Sequence, residues 1–237
     1  TPIVGKTLVV RFNPTTTVSS SLLTGDLTDW AVNIVPHPSA SSTTVVEDYG
    51  RVEIISGSNK VLVASSSYFP LFSDDYTLLV MRSASADFTI MQADGDQILY
   101  QYSASSNLAD AVWNNTTYVY VGGTGSIKTN TNFDGIVDEV RLWNENLTND
   151  NIVKTAYDPG QSYGASYSSS YDNLYVNLTF SQPSSSITAS ATNESPYYGL
   201  SILPTVPAVG FTTASYQRLS RNIKQFVLSA GTTVYST

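Results

Sequence analysis

Short runs in which apolar and polar positions alternate, each closed by a turn signal, make up most of this chain. Leu8, Val10 and Phe12 alternate with Val9 and Arg11, and Asn13-Pro14 ends the run. Ala31–Val35 is a second short strand, closed by Pro36-His37-Pro38. Val45-Val46 and Arg51–Ile55 read as strands around Gly50, and Lys60–Ala64 returns after the turn Ser56-Gly57-Ser58-Asn59. Tyr76–Met81 is a continuous apolar run, the pattern of a strand in the middle of a sheet. Phe88–Met91 and Ile98–Tyr102 flank Asp94-Gly95-Asp96 as a hairpin, and Tyr118–Val121 is a further strand. Turn signals recur roughly every eight to twelve residues, the spacing of a sandwich or jelly roll.

The most specific stretch is Phe133–Tyr157. Asp134-Gly135 is a turn signal, and Ile136, Val137, Val140, Leu142 and Trp143 form a strand interrupted by Asp138 and Glu139. Asn144-Glu145-Asn146 breaks the strand. Thr148 is placed to cap a short helix, with Asp150 in its first turn and Ile152, Val153 and Ala156 as an apolar stripe. Asp158-Pro159-Gly160 stops it, because proline cannot continue the hydrogen-bond ladder. The order Phe133, Asp134, Gly135, Ile136, Asp138, Glu139, Val140, Arg141, Leu142, Trp143, Asn144, Leu147, Thr148 and Ile152 resembles the signature of laminin-G-like, concanavalin A-like jelly rolls. Val137 is one residue extra against the commonest spacing of that signature. The resemblance implies an all-β, laminin-G-like jelly-roll sandwich over residues 1–165. Residues 166–237 are then a β-rich C-terminal extension, a second small β module or an assembly arm.

Gln161–Asp172 is rich in Ser, Tyr and Gly and reads as a linker or long surface loop. Val176, Leu178 and Phe180 alternate ahead of Gln182-Pro183, much as Leu8, Val10 and Phe12 do ahead of Asn13-Pro14. The pair reads either as the start of two similar modules or, preferably, as two edge strands with proline stops. In the tail, Tyr216, Leu219, Ile223 and Phe226 carry helical spacing among basic residues, while Ile223–Leu228 also reads as a strand. So apolar a tail, with little room for a core of its own, is expected to pack on a partner or on the main domain.

Charge narrows the function. The 237 residues carry a formal net charge of −8, and only 13% are charged. Such a surface disfavours non-specific nucleic-acid binding, which needs cations to replace counterions. The absence of cysteine excludes disulfides and zinc–thiolate sites. No apolar run approaches the roughly eighteen residues of a membrane span. The chain begins with Thr1 and shows no signal peptide, as expected of a processed protein or a piece of a longer one.

Candidate chemistry is sparse. Sandwich glycosidases need two carboxylates across the scissile bond. Asp138 and Glu139 are adjacent, and alternation on a strand would send them to opposite faces. His37 is the single histidine and lies between prolines, away from any nucleophile elbow. An enzyme is therefore not expected. The resemblance implies calcium as a possible cofactor, with Asp134 and Asp138 as its ligands; oxygen donors of this kind suit that ion. Trp113 beside Asn114 and Asn115 is the expected carbohydrate contact, an aromatic face next to amide hydrogen-bonding groups. The expected protein is thus a non-enzymatic extracellular structural subunit or decoration, of a virion such as a tailed-phage capsid or tail, or of a cell surface. Its partners would be further copies or neighbouring structural proteins bound through 195–237, and surface glycans. The alternative is a calcium-dependent, lectin-like carbohydrate-binding module.

Overall fold

Alternation carries through into strands almost everywhere. The structure, a computed structural model, describes residues 7–25, 30–38, 47–56, 61–83, 87–105, 119–122, 131–179, 192–193 and 226–228. In chain order these form β1 (Thr7–Pro14), β2 (Ser20–Gly25), β3 (Trp30–Pro36), β4 (Gly50–Ser56), β5 (Val61–Ser65), β6 (Thr77–Arg82), β7 (Asp87–Asp94) and β8 (Gln97–Ser105). Then come β9 (Val119–Val121), β10 (Thr131–Asn132), β11 (Gly135–Trp143), α1 (Asn149–Tyr157), α2 (Ser169–Asp172), β12 (Leu174–Thr179), β13 (Thr192–Asn193) and β14 (Phe226–Leu228). One sheet has the order β13-β12-β11-β1-β6-β7-β8, with β14 also paired to β11; the other runs β10-β2-β3-β4-β5, with β9 on β2. Only the two-residue β10 pairs in parallel, with β2, among the described strands. The chain is an all-β sandwich of jelly-roll type.

The two sheets meet over one core. Leu8, Val10 and Phe12 of β1, with Leu79, Met81, Ile90, Val140 and Leu142, face Leu22, Trp30, Val32, Ile34, Val52 and Ile54 of the second sheet. The first sheet is covered on its other face too. Val9, Leu78, Val80, Met91 and Trp143 form a second apolar layer, roofed by Leu147 and by Ile152 of α1. This explains the apolar run Leu78–Met81 within β6: all six residues of the strand are buried, between two layers rather than one. Gly95, at positive φ, closes the β7–β8 hairpin at the expected turn.

Two expectations change. β1 is not an edge strand, since it lies between β11 and β6. β12, which the sequence pattern assigned to an extension, is hydrogen-bonded to β11 from Glu139↔Thr179 to Trp143↔Leu174, and Val176 lies in the main core. Residues 174–179 therefore belong to the same sandwich. β14 reaches β11 at Gly135–Val137, as a strand, where the sequence allowed helix or strand; the rest of 195–237 lies outside the described residues. No helix among the described residues is long and apolar enough to cross a membrane.

Candidate functional site

A groove opens between α1 and the chain that follows it. Local sequence builds the helix side: Thr148 Oγ1 accepts from the Asn151 N–H at 3.2 Å, and Asp150 sits in the first turn. Pro159 ends the helix, and the chain turns back across the outer side of β11 and β12. Two side chains, one buried and one half-buried, hold it there. The Arg141 guanidinium donates to the carbonyls of Pro159 and Gln161 and to Asn177 Oδ1, and pairs with Glu139 at 2.6 Å. Glu145 accepts from the Ala165 N–H at 3.0 Å and from Asn173 Nδ2 at 3.1 Å. Ser166 and Ser169 cap each other's backbone N–H groups, at 2.7 and 3.1 Å, and start α2. Gly164 is required by close approach: a Cβ would lie 2.6 Å from the Ser170 nitrogen and 2.7 Å from the Ser169 carbonyl carbon. Residues 161–172, read from sequence as a linker, are thus fixed at both ends by ionised groups.

The groove has a volume of about 520 Å³. Thr148, Asp150, Asn151 and Lys154 line it from the helix, and Tyr163, Tyr167 and serines from the returning chain. Tyr167 is 84% exposed. The Tyr163 hydroxyl donates to Asp158 Oδ2 at 3.1 Å. Lys154 and Asp150 pair at 2.6 Å, one helical turn apart and largely in solvent. Asn151 is different: it is only 7% exposed, and its Nδ2 has no hydrogen-bond partner. A buried donor left unpaired is unfavourable by roughly 1–3 kcal/mol. The groove therefore offers aromatic faces and hydroxyls, and Asn151, one of its lining residues, carries a buried, unsatisfied amide nitrogen. The sequence carried a signal for it, tyrosines spaced through a serine-rich run after a capped helix, but that run also looked like a linker.

The aspartates expected from sequence do not line this groove. Trp113, Asn114 and Asn115 lie outside the described residues. Asp134 is half-buried and accepts from Thr15 Oγ1 at 3.4 Å. Asp138 is buried and ion-paired with Arg11, whose guanidinium carbon lies 3.9 Å over the Tyr76 ring. Among the described residues, no group of three or more His, Asp or Glu side chains forms around either aspartate. Trp30, another aromatic in this chain, is fully buried against Gly25.

Alternation fails at Asp138-Glu139. The ladder pairs Arg11 with Glu139 and Phe12 with Val137, so Asp138 is the additional residue of a β-bulge. Both carboxylates therefore reach arginines of the outer face, Asp138 to Arg11 and Glu139 to Arg141, instead of facing opposite ways. Burial raises the Asp138 carboxyl above its ordinary 3.8, and Arg11 and then Arg141 pull it part of the way back. A carboxyl whose folded pKa exceeds its unfolded one binds more protons in the folded state, so stability falls as pH rises between the two values and is level above them. Relative to Asp138→Asn, the wild-type chain should lose stability in urea melts as pH rises from about 4, until the difference flattens. A difference that grows in favour of the wild type would mean that Arg11 outweighs burial.

No family model matches the chain, and no curated protein matches it. Among solved structures it is similar to the CBM40 of Ruminococcus gnavus IT-sialidase bound to α2,3-sialyllactose, at 13% identity over 64% of this chain and 82% of that one, with a TM-score of 0.41. The same CBM40 in a second structure gives 12% identity, the same coverage and a TM-score of 0.41. The native heptameric SAP-like pentraxin from Limulus polyphemus gives 10% identity over 64% of this chain and 69% of that one, with a TM-score of 0.39.

Proposed function

We propose that this chain is a non-enzymatic, laminin-G-like binding module of an extracellular protein, and that the groove beside α1 holds a carbohydrate. The observation that carries this reading is the groove itself, with Tyr163 and Tyr167 beside Asn151, Asp150 and serine hydroxyls. Sugar rings present a C–H face that packs on an aromatic ring and a rim of hydroxyls that needs polar partners, and few other solutes need both. The acids at the groove are engaged, Asp150 with Lys154 and Asp158 with Tyr163, which supports binding rather than acid–base chemistry. A calcium-dependent lectin would use Asp134 and Asp138; Arg11 already neutralises Asp138, which favours the groove without calcium.

Calorimetric titration with neutral and acidic oligosaccharides tests the reading. Tyr167→Ala should weaken binding about tenfold, a change of about 1.4 kcal/mol, while leaving the melting temperature alone because the ring is 84% exposed. Equal binding by the wild type and this variant would remove the groove from the account.

A second reading, a structural subunit of a virion or cell-surface assembly, is favoured by the edge strand β5. Val61 and Leu62 are 59% and 50% exposed, and Val61–Ser65 carries no charge to discourage pairing with another copy. The mass of the full chain in solution, measured against concentration, tests it. An assembly that dissolves in Val61→Lys supports an edge contact, and a monomer at every concentration sinks it.

A further inference from the structure

We infer that the groove is built for an uncharged saccharide, one that offers a hydroxyl to the Asn151 amide. The inference rests on the carbohydrate reading above and adds the class of sugar.

Charge gives the first reason. The ionised groups lining or fixing the groove are Lys154, Asp150, Asp158, Glu145 and, beneath the returning chain, Arg141 with Glu139. Carboxylates outnumber cations among them. Each cation is engaged, Lys154 by Asp150 and Arg141 by Glu139, Asn177 and two backbone carbonyls. Among the described residues, a sugar carboxylate entering here would meet no unengaged cation and would lie among like charges, in a chain of net charge −8.

Asn151 gives the second. Its Nδ2 is buried with no partner, and the residue lines the cavity. A carboxamide looks the same with its oxygen and nitrogen exchanged. A hydroxyl both donates and accepts, so it satisfies this amide in either orientation, whereas a carboxylate satisfies only the donor. Tyr167 supplies the apolar contact for the ring face. Binding then removes a defect that the free protein carries, which gives Asn151 a signature of its own. Asn151→Ala deletes the unpaired donor and keeps the backbone N–H that bonds to Thr148. Its melting temperature should be unchanged or higher while its affinity falls.

The test uses the full chain and five probes: lactose, maltotriose, cellotriose and chitotriose as neutral sugars, and α2,3-sialyllactose as the acidic counterpart of lactose. Titrations run to about 10 mM, above the millimolar range that corresponds to about −4 kcal/mol, at low and high NaCl. The expected result is binding of at least one neutral probe, weakened about fivefold or more by Asn151→Ala and by Tyr167→Ala. The same binding should be unchanged within about twofold by salt. The acidic probe should bind no better than lactose. Tighter binding of α2,3-sialyllactose, lost in Lys154→Gln or in high salt, overturns the inference and leaves the carbohydrate reading standing. Neutral binding indifferent to both Asn151→Ala and Tyr167→Ala places the sugar outside the groove and also overturns it. Binding of none of the five removes the carbohydrate reading and the inference together.

Discussion

Arg141→Ala should unfold at much lower denaturant than the wild type, with a loss of about 3–5 kcal/mol. Arg141 is 2% exposed. Its guanidinium satisfies the carbonyls of Pro159 and Gln161, the Asn177 side chain and the Glu139 carboxylate at once. Truncation removes the guanidinium that pairs with Glu139 and donates to Asn177 and to the Pro159 and Gln161 carbonyls, and a protein interior penalises the loss of such bonds. Arg141→Lys keeps the charge but not the planar fork, and should fall between the two. Lys154→Ala is the control: it breaks an ion pair of the same sign order on the solvent side of α1, and should change stability by no more than about 0.5 kcal/mol. The same variants separate stability from binding. Arg141 fixes the start of the returning chain, so any saccharide affinity should drop in Arg141→Lys even where the protein is folded. Urea melts and titrations on one set of proteins decide the matter. A loss below about 1 kcal/mol in Arg141→Ala would show that water replaces the guanidinium.

Phe133→Ala should be nearly as damaging, at about 3–5 kcal/mol. The ring is fully buried in the main core and meets Phe12 edge-on, with centroids 6.0 Å apart and planes at 79°. It also lies where a Cβ on Gly135 would fall, 2.4 Å from the ring and 2.5 Å from the Asn13 carbonyl oxygen. The Phe-Asp-Gly turn is therefore one packed unit: the glycine admits the ring, and the ring fills the space that the glycine leaves. For a chain of this size each kcal/mol moves the melting temperature by roughly 2–4 °C, so the drop should be easily measured by calorimetry. Leu99→Ala provides the contrast. Leu99 is 51% exposed on the outward side of β8, and its removal should shift stability by less than about 0.5 kcal/mol. Similar losses in the two variants would mean that the core is not organised around the β1–β11 contact.

The candidate site was much less legible than the fold. α1, its Thr148 cap and its proline stop were readable because capping and chain breaking are local: they depend on residues within one turn of each other. The strand Gly135–Trp143 and the hairpin at Gly95 were readable for the same reason. By contrast, the segment 161–172 looked like a linker because polar, serine-rich sequence is what linkers have. What makes it one wall of a groove is a pair of distant side chains, Arg141 and Glu145, at positions whose sequence context says nothing about their reach. The bulge at Asp138 was not legible in the local pattern, because which face a carboxylate takes there depends on the register against β1.

Sequence alone therefore determined an all-β chain, the turns that divide it, the helix capped by Thr148 and an acidic, weakly charged surface. These follow from period-two alternation, from the chemistry of Gly, Pro, Asn and Asp, and from simple charge counting. Tertiary structure alone decided that β1 is central, that β12 joins the main sheet, that Asp138 and Glu139 both serve outer-face arginines, and that Asn151 is buried without a partner. Each of these depends on which strands lie side by side and on what covers their outer face. Pairings between residues more than a hundred positions apart, such as Arg11 with Asp138, leave no mark on the local pattern of either segment.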